Sequence, residues 1–238
     1  MRHAARLLAV LLLAVLCLQL WFAGRILLMR AVAPQSTSFQ RSEIARLLVE
    51  KHQVAWAQQW VDDEQLPRTL KRAVIASEDD GFAGHGGVDW DAIQGAWKRN
   101  EKAQARAEAR KARAPAKVIG GSTITQQLAK NLFLSGERTL LRKGQELLLT
   151  LMLEALLDKR RILEIYLNSV EWGEGVFGAQ AAARHYFGRD AARLGSFEAA
   201  RLAVMLPAPK RFERQPGSPY VMGRAGLIAG RMASAQLP

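Results

Sequence analysis

The chain carries two polar, glycine-rich segments that are separated by a basic stretch. The first occupies residues 78–89 and reads EDDGFAGHGGVD, and the second occupies residues 120–131 and reads GGSTITQQLAKN. The first segment concentrates carboxylates and one histidine around glycines, whereas the second leads from a Gly/Ser/Thr turn into a run with amides and a lysine. Acids, amides and a cation in this order suit a site for a polar, anionic substrate, so both segments point to chemistry.

Glu78 lies on the apolar stripe of a predicted helix. Residues 66–77, LPRTLKRAVIAS, place Pro67 near the helix start and apolar residues at helical spacing. Glu78 follows Val74 by four residues and therefore shares its face. A carboxylate on the inward face of a helix end is partly desolvated, which raises its pKa and suits a general base near neutral pH. From these residues alone, a cap or an ion-pair acid at a helix terminus is the alternative.

The length and composition indicate a protein with one sizeable core and a strong positive charge. The chain has 238 residues, of which 49% are hydrophobic, so it can bury one sizeable core. Its net charge of +12 and pI near 10.4 imply attraction to nucleic acid, phospholipid head groups or pyrophosphate. The single cysteine, Cys17, excludes an intramolecular disulfide. The histidines are scattered without metal-ligand spacing, so we do not expect a zinc or iron site built from protein ligands.

The N-terminus predicts a membrane anchor within residues 1–30. Residues 7–23 are almost wholly apolar and uncharged, and together with residues 26–29 they approach the roughly 20 residues that a spanning helix needs. A cleaved signal peptide is the alternative, but its candidate cleavage site at residues 22–24 falls late and is poorly formed. Basic residues flank both ends of the apolar run, so charge alone leaves the orientation open.

The spacing of apolar residues in the rest of the chain predicts helices. Residues 99–117 are rich in Ala, Arg, Lys and Glu and lack an apolar stripe, so we expect a solvated helix or a mobile loop. A nucleic-acid patch is the alternative there, although interleaved aromatics are missing. Residues 142–157 predict the buried central helix, and residues 159–168 and 191–205 predict amphipathic helices. We find no convincing alternating strand pattern, so the predicted fold class is mainly α.

The two polar segments and three later blocks resemble the bacterial peptidoglycan glycosyltransferases. This family includes the transglycosylase domain of bifunctional penicillin-binding proteins and its monofunctional relatives. Residues 78–89 match the pattern ED-x-x-F-x-x-H-x-G-x-D, residues 120–131 match GGSTITQQ-x-x-KN, and residues 142–146 resemble R-K-x-x-E. The blocks at residues 161–168 and 175–209 look more structural. The resemblance implies a lysozyme-like, mainly α glycosyltransferase domain, which we place at 66–238, after the anchor (1–30) and a juxtamembrane segment (31–65), with 99–117 as a basic insert.

The resemblance also implies roles for individual residues. Glu78 would be the general base for the acceptor hydroxyl, and Glu146 a second acid that orients the donor or holds a divalent ion on its pyrophosphate. The substrate-binding residues it implies are Ser122, Thr123, Gln126, Gln127, Lys130, Asn131, Arg142 and Lys143. The residues it implies for shaping the site are Asp79, Phe82, His85 and Asp89. From the sequence alone, Ser122 could instead cap the following helix, and Arg142 and Glu146 could form an ordinary surface ion pair.

The activity that the resemblance implies is polymerisation of lipid II into β-1,4 glycan strands, with inversion at the anomeric carbon and release of undecaprenyl pyrophosphate. The chain ends soon after Pro209, so we expect a monofunctional enzyme without a transpeptidase domain. No cofactor is required by the sequence, and magnesium or manganese is optional. The alternatives are a lysozyme-like hydrolase that uses Glu78 as an acid and a non-enzymatic basic membrane scaffold.

The expected partners are lipid II, the nascent glycan strand, anionic membrane lipid and other cell-wall synthesis and division proteins, but not nucleic acid. By the same resemblance, we expect a single-pass protein of the cell inner membrane. Its N-terminus would be cytoplasmic and its catalytic domain periplasmic.

Overall fold

A computed structural model describes residues 2–109, 120–134 and 139–238. Its helices are α1 Arg2–Leu28, α2 Ser38–Lys51, α3 Arg68–Glu78, α4 Trp90–Ala109, α5 Ile124–Phe133, α6 Leu140–Leu156, α7 Lys159–Ser169, α8 Ala179–Phe187, α9 Ser196–Met205, α10 Pro209–Phe212 and α11 Pro219–Arg231. Its strands are β1 Ala57–Gln58, β2 Glu171–Gly173 and β3 Val176–Phe177. The prediction of a mainly α fold is confirmed.

The buried central helix is α7. Every residue from Ile162 to Ser169 on this helix is buried, and α5, α6 and α8 pack against it. Helix α6 buries only the face that carries Glu146, Leu149, Thr150 and Leu153. Its outer leucines are exposed: Leu140, Leu141, Leu147, Leu148 and Leu151. The prediction that residues 142–157 form the buried central helix is therefore wrong, because leucines that face away from the domain give the same sequence pattern as core leucines.

A second group of helices packs beside this one. Helix α3 lies against α9 and α11, and its apolar stripe, which includes Leu70, Ala73 and Val74, is fully buried. The helix predicted over residues 191–205 is divided into a 3-10 turn at Ala191–Arg193 and helix α9. Gly195 is the N-cap of α9 and separates the two pieces. Glu78, the last residue of α3, contacts Gln127 on α5 and so joins the two groups of helices.

The three strands form one small sheet in the order β1-β3-β2, with β1 parallel and β2 antiparallel to β3. No alternating strand pattern was found in the sequence, and these strands of two or three residues are too short to show one. Gly175 allows the segment before β1 to approach the turn between β2 and β3. It has φ +73°, and a Cβ there would clash with the carbonyl oxygen of Ala55, so only glycine fits.

Residues 31–65 are packed into the domain. Helix α2 contacts α5 and buries Gln40, Glu43 and Leu47, while β1 completes the sheet. Packing therefore shows no break at residue 66, where the sequence analysis placed the domain boundary. Of the basic stretch 99–117, residues 99–109 form the end of α4, and residues 110–117 lie outside the described part of the chain.

Helix α1 is long and apolar enough to cross a membrane. It has 27 residues, and its most apolar window has a mean hydropathy of 2.5 and is 6% buried. Its last turns nevertheless pack on the domain, because Phe22, Ile26 and Met29 are buried there. The ring of Phe22 meets the ring of Phe133 edge-on, with centroids 5.2 Å apart. This helix is compatible with a single-pass membrane anchor that is docked on the domain.

Candidate active site

Glu78 ends α3 and is held by a chain of hydrogen bonds from the core. Its Oε2 accepts a hydrogen bond from Nε2 of Gln127 on α5, at 3.0 Å. The Oε1 of Gln127 in turn accepts from the hydroxyl of Tyr166 on α7, at 2.9 Å. Tyr166 is fully buried. Three helices thus fix the orientation of one carboxylate.

The environment of Glu78 favours its protonated form. Burial is the largest effect and raises the pKa of Glu78, and the negative charge of Asp79 raises it further. Hydrogen bonds from Gln127 and Ser77 oppose this in part. A carboxylate whose pKa lies above its ordinary value of 4.5 is a stronger base when it is ionised.

Asp79 joins the first polar segment to the second. Its Oδ1 lies 2.8 Å from Nε2 of His85, and its Oδ2 accepts a hydrogen bond from the backbone N–H of Ile124 at 2.9 Å. Nδ1 of His85 accepts from the N–H of Gly87 at 3.1 Å, which assigns the ring proton to Nε2. The carboxylate of Asp79 is therefore used within the protein, at the N-terminal end of α5, where a negative charge is favourable.

Two other residues of the first segment have structural contacts. Oδ1 of Asp89 accepts from the N–H of Ala92 at 2.7 Å and caps α4. Phe82 is fully buried, and the ammonium of Lys159 lies 4.5 Å from the centre of its ring. The sequence analysis expected these side chains to shape the loop, and their contacts are of that kind.

Thr123 caps α5. Its hydroxyl accepts from the N–H of Gln126 at 3.2 Å and donates to the carbonyl of Gly87 at 2.7 Å, while Oε1 of Gln126 accepts from the N–H of Thr123 at 3.1 Å. These contacts form a capping box. The alternative that Ser122 caps this helix is wrong. Ser122 is exposed instead, and its neighbour Thr123 has the capping role.

Two adjoining cavities flank the Gly121–Ser122 turn. One, of about 220 Å³, contains Glu78 and is also lined by Arg99 and Arg231. The other, of about 300 Å³, is lined by Trp97 and Lys143, among others. Both cavities are lined by Gly121 and Ser122, so Glu78 lies on one side of this turn and Lys143 on the other.

A cluster of cations surrounds Glu146 on α6. Glu146 is buried, and its two carboxylate oxygens accept from Nη1 of Arg142 at 2.9 Å and from Nζ of Lys143 at 2.5 Å. Nε of Arg142 is buried without a hydrogen-bond partner within the described residues. Such an orphan donor suits an anion that enters the cluster.

Lys130 on α5 belongs to the same cluster. Its side chain is exposed by surface area but lies in a crowded cleft, so desolvation lowers the pKa of Lys130. The charge of Glu146 opposes this effect, and the positive charges of Arg142 and Lys143 add to it. Lys130 therefore lies near the carboxylate that Arg142 and Lys143 bond. Asn131, the next residue on α5, is buried.

Comparison with known proteins identifies the family. The family model for transglycosylases matches residues 45–233. The chain belongs to the transglycosylase family. It is 53% identical over 223 residues to a biosynthetic peptidoglycan transglycosylase of Burkholderia pseudomallei, covering 94% of this chain and 83% of that protein. It is also 50% identical over 226 residues to a protein of the same name from Herminiimonas arsenicoxydans, covering 95% of this chain and 93% of that protein. The resemblance found in the sequence is confirmed, and the chain is a glycosyltransferase.

Other residues of the transglycosylase contact the predicted site residues or line the Glu78 cavity, although the sequence did not point to them. Tyr166 supports Gln127, and a hydroxyl on a fully buried helix is the signal that could have revealed it, because such a group needs a partner. Glu154 accepts from the hydroxyl of Thr125 at 2.6 Å and from Lys159 at 2.8 Å, and so ties α5, α6 and α7 together. Arg231 reaches the Glu78 cavity from the far end of the chain, which no local pattern signals.

Metal ligands can be assessed from the same contacts. Within the described ranges, Asp79, His85 and Asp89 form the one group of three potential ligands whose atoms lie within 4.8 Å of one another. Asp79 and His85 already bond each other and the backbone. The oxygens of Glu146 are likewise occupied by Arg142 and Lys143. In this conformation, both sets of residues serve structure or charge balance and fit a divalent ion poorly.

Proposed function

We propose that this transglycosylase polymerises lipid II into the β-1,4 glycan strands of peptidoglycan, with inversion at the anomeric carbon and release of undecaprenyl pyrophosphate. One observation carries the proposal: a desolvated carboxylate and a cluster of cations lie on either side of the Gly121–Ser122 turn, each beside a cavity that this turn lines. The names of the relatives, biosynthetic peptidoglycan transglycosylase, support the same substrate.

Glu78 acts as the general base in this proposal. It takes the proton from the acceptor sugar hydroxyl as that oxygen attacks the anomeric carbon of the donor. The bond between this carbon and the pyrophosphate oxygen breaks, and the electron pair leaves with the pyrophosphate. Direct displacement of this kind converts an α-linked donor into a β-linked product. Gln127, held by Tyr166, orients the carboxylate for the transfer.

The cations serve the leaving group. Pyrophosphate leaves without protonation when positive charge neutralises it, whereas a glycosidase usually needs a second carboxyl group as an acid on the leaving oxygen. Lys130, Arg142 and Lys143 supply that charge, and the orphan Nε of Arg142 is a ready donor. Glu146 holds Arg142 and Lys143 in place. Both of its oxygens are occupied by these two cations, so Glu146 has no role as a magnesium or manganese ligand in this proposal.

A lipid-linked substrate also explains the apolar surface of the protein. The exposed leucines of α6 lie on a helix that packs against α1, so an apolar face adjoins the anchor. We propose that the protein spans the inner membrane once, with a cytoplasmic N-terminus and a periplasmic catalytic domain. Basic side chains near the surface add attraction to anionic lipid of about 1 kcal/mol each.

Polymerisation of purified lipid II by the full-length protein in detergent tests the proposal. Glycan formation and release of undecaprenyl pyrophosphate are both followed, for the parent and for Glu78→Gln. We expect polymer from the parent and a loss of about 100-fold or more in the variant. Asp80→Asn is the matched control, because Asp80 lines the same cavity but is exposed and paired with Arg231.

The alternative functions give different results in the same assay. Cleavage of intact peptidoglycan without polymer formation would favour the hydrolase. Neither activity in a folded protein would favour the scaffold. A loss in Asp80→Asn as large as that in Glu78→Gln would contradict the assignment of Glu78 as the base.

A further inference from the structure

The cavity beside Lys143 is lined by side chains of two kinds. Its volume is about 300 Å³, and three residues of α4, Ile93, Ala96 and Trp97, form an apolar lining that we call the α4 wall. Ser122 and Lys143 line the same space. A pocket that combines apolar side chains with a few polar groups is typical of a ligand site. Its occupant should therefore carry a hydrocarbon group close to a group that a lysine binds.

Trp97 is available to contact such an occupant. It is 66% exposed although it lines the cavity. A single exposed apolar residue is ordinary on a protein surface, so exposure alone assigns no role. Trp90, seven residues earlier on the same face of α4, is exposed to a similar extent and does not line this cavity. The two tryptophans thus form a matched pair that differs in position relative to the cations.

The cations indicate which ligand brings a hydrocarbon group to this cavity. Nζ of Lys143 bonds Glu146, whose other carboxylate oxygen accepts from Arg142. In the proposed reaction, this cluster holds the pyrophosphate of the donor. In a polyprenyl pyrophosphate, a phosphate oxygen is bonded directly to the first carbon of the tail. An isoprene unit therefore lies next to any tail-linked phosphate that Lys143 binds, and the α4 wall is the apolar surface in the same cavity.

Helix α6 offers a path for the rest of the tail. Leu140 precedes Lys143 by three residues and Leu147 follows it by four, so both share its face of the helix. Both leucines are exposed. An apolar strip thus passes Lys143 on the outer side of a helix that packs against the anchor α1. Later isoprene units can leave the cavity along this strip, so that the first unit is the one that needs a specific site.

We propose that the α4 wall binds the first isoprene unit of the substrate's tail while Lys143 binds the adjoining phosphate. The cavity then recognises the junction between pyrophosphate and hydrocarbon. Trp97 is a specificity-determining residue in this assignment, because a ligand without an isoprene unit loses its contact with the indole ring. The inference rests on the proposed function, since it requires a tail that is linked through pyrophosphate.

Two small ligands that differ in the isoprene unit test the site. Dimethylallyl pyrophosphate carries the first unit alone, and methyl pyrophosphate has the same ester and the same charge without it. Binding of each to the full-length protein in detergent is followed by phosphorus NMR. We expect the parent to bind dimethylallyl pyrophosphate about ten-fold more tightly, as partial burial of one unit predicts. In Trp97→Ala most of this preference should be lost, while the affinity for methyl pyrophosphate stays unchanged.

Matched variants separate the tail contact from folding and from charge. Trp97→Phe keeps an apolar ring and should retain most of the preference. Trp90→Ala removes a similarly exposed tryptophan outside the cavity and should match the parent. Lys143→Ala removes the phosphate contact, so it should weaken both ligands alike and leave their ratio unchanged. With lipid II as substrate, Trp97→Ala should raise KM by about three- to ten-fold with little change in kcat, because the contact is made in the ground state and the transition state alike.

Other results overturn the proposal. A parent that shows no preference for the isoprenyl ligand has no such site, and a preference that survives in Trp97→Ala places the tail elsewhere. An equal loss for both ligands in that variant, accompanied by a lower Tm, would assign Trp97 a structural role. Failure of the parent to polymerise lipid II would refute the proposed function, whereas the ratio of the two affinities would still decide whether the cavity binds a prenyl pyrophosphate.

Discussion

At the scale of single residues, Gln127 controls the carboxylate that it bonds. Its hydrogen bond lowers the pKa of Glu78 against the larger, opposing effect of burial. In Gln127→Leu the pKa of Glu78 should therefore rise further. A base works only when it is ionised, so the acidic limb of kcat/KM against pH should move to higher pH. The measurement is the pH–rate profile of polymerisation.

Tyr166→Phe is the graded comparison for this prediction. It removes the donor to Gln127 and leaves the contact between Gln127 and Glu78 in place. The acidic limb should shift in the same direction and by less. An acidic limb that stays fixed in Gln127→Leu would show that a group other than Glu78 titrates there.

Gly87, in the first polar segment, is a residue whose substitution should strain the fold. It has φ +89°, and a Cβ there would lie 2.7 Å from Cγ2 of Thr150 and 2.8 Å from Cγ of Glu154. Gly87→Ala combines backbone strain with overpacking, so we expect a loss of about 2–4 kcal/mol in the free energy of unfolding. Gly86→Ala is the control, because nothing lies within 4 Å of its Cβ position. Chemical unfolding of both variants checks this, and equal stability would contradict it.

At the scale of elements, a buried carboxylate lies where β2 meets α2 and α10. Glu171 lies 3.5 Å from Nζ of Lys210, which bonds Glu43 more closely at 2.6 Å. Burial raises the pKa of Glu171 to about 7, with Lys210 opposing and the charges of Glu43 and Glu213 adding to the rise. The folded-state pKa exceeds the ordinary 4.5, so the folded protein favours protonated Glu171. The contribution of Glu171 to the free energy of unfolding is therefore fully present below pH 4.5 and is lost as pH rises through about 7.

Glu171→Gln should remove that pH dependence. The neutral amide has nearly the same shape, so the variant should match the parent near pH 4.5. Near pH 8 it should be more stable by about 1–3 kcal/mol, taking 1.36 kcal/mol per pKa unit as the upper scale. Unfolding curves at both pH values measure the difference. A variant less stable than the parent at the higher pH would contradict the prediction.

Helices were predicted well where one face meets the core and the other meets water. The stripe of α3 placed Glu78 correctly at the inward end of a helix, because Leu70 and Val74 repeat at helical spacing. The prediction that α6 is buried was wrong, because leucines that face away from the domain cannot be distinguished by sequence from leucines that face the core. The short strands form because β1 pairs with β3, which lies far from it in the chain. The residues around each strand therefore show no pattern that predicts it.

Several contacts around Glu78 could not be predicted from residue types alone. Glu78 at the end of α3 does contact Gln127 on α5, yet the bond from Asp79 to the backbone of Ile124 depends on tertiary structure. Ser122 and Thr123 are both good caps, so sequence alone could not choose between them. Arg231 enters the Glu78 cavity through the packing of α11, which no motif in the chain announces.

At the scale of the whole molecule, the anchor contributes to the stability of the domain. Phe22, Ile26 and Met29 are buried on it, and each buried side chain of this size is worth about 1.5–3 kcal/mol. Removal of residues 1–30 should therefore lower the Tm of the domain in a given detergent. Removal of residues 2–15 keeps the docked turns and should leave the Tm nearly unchanged. Equal Tm values for the two truncations would show that docking adds nothing.

The bonds between the two polar segments also have a consequence for protein engineering. Asp79 to Ile124 and Thr123 to Gly87 are joined at 2.9 and 2.7 Å, so the chain between Gly87 and Thr123 starts and ends at two points that are already fastened together. Closing a longer excursion between fixed ends costs little additional entropy. The end of α4, beyond the residues that line the two cavities, is therefore a suitable position to graft a fluorescent domain or an affinity tag.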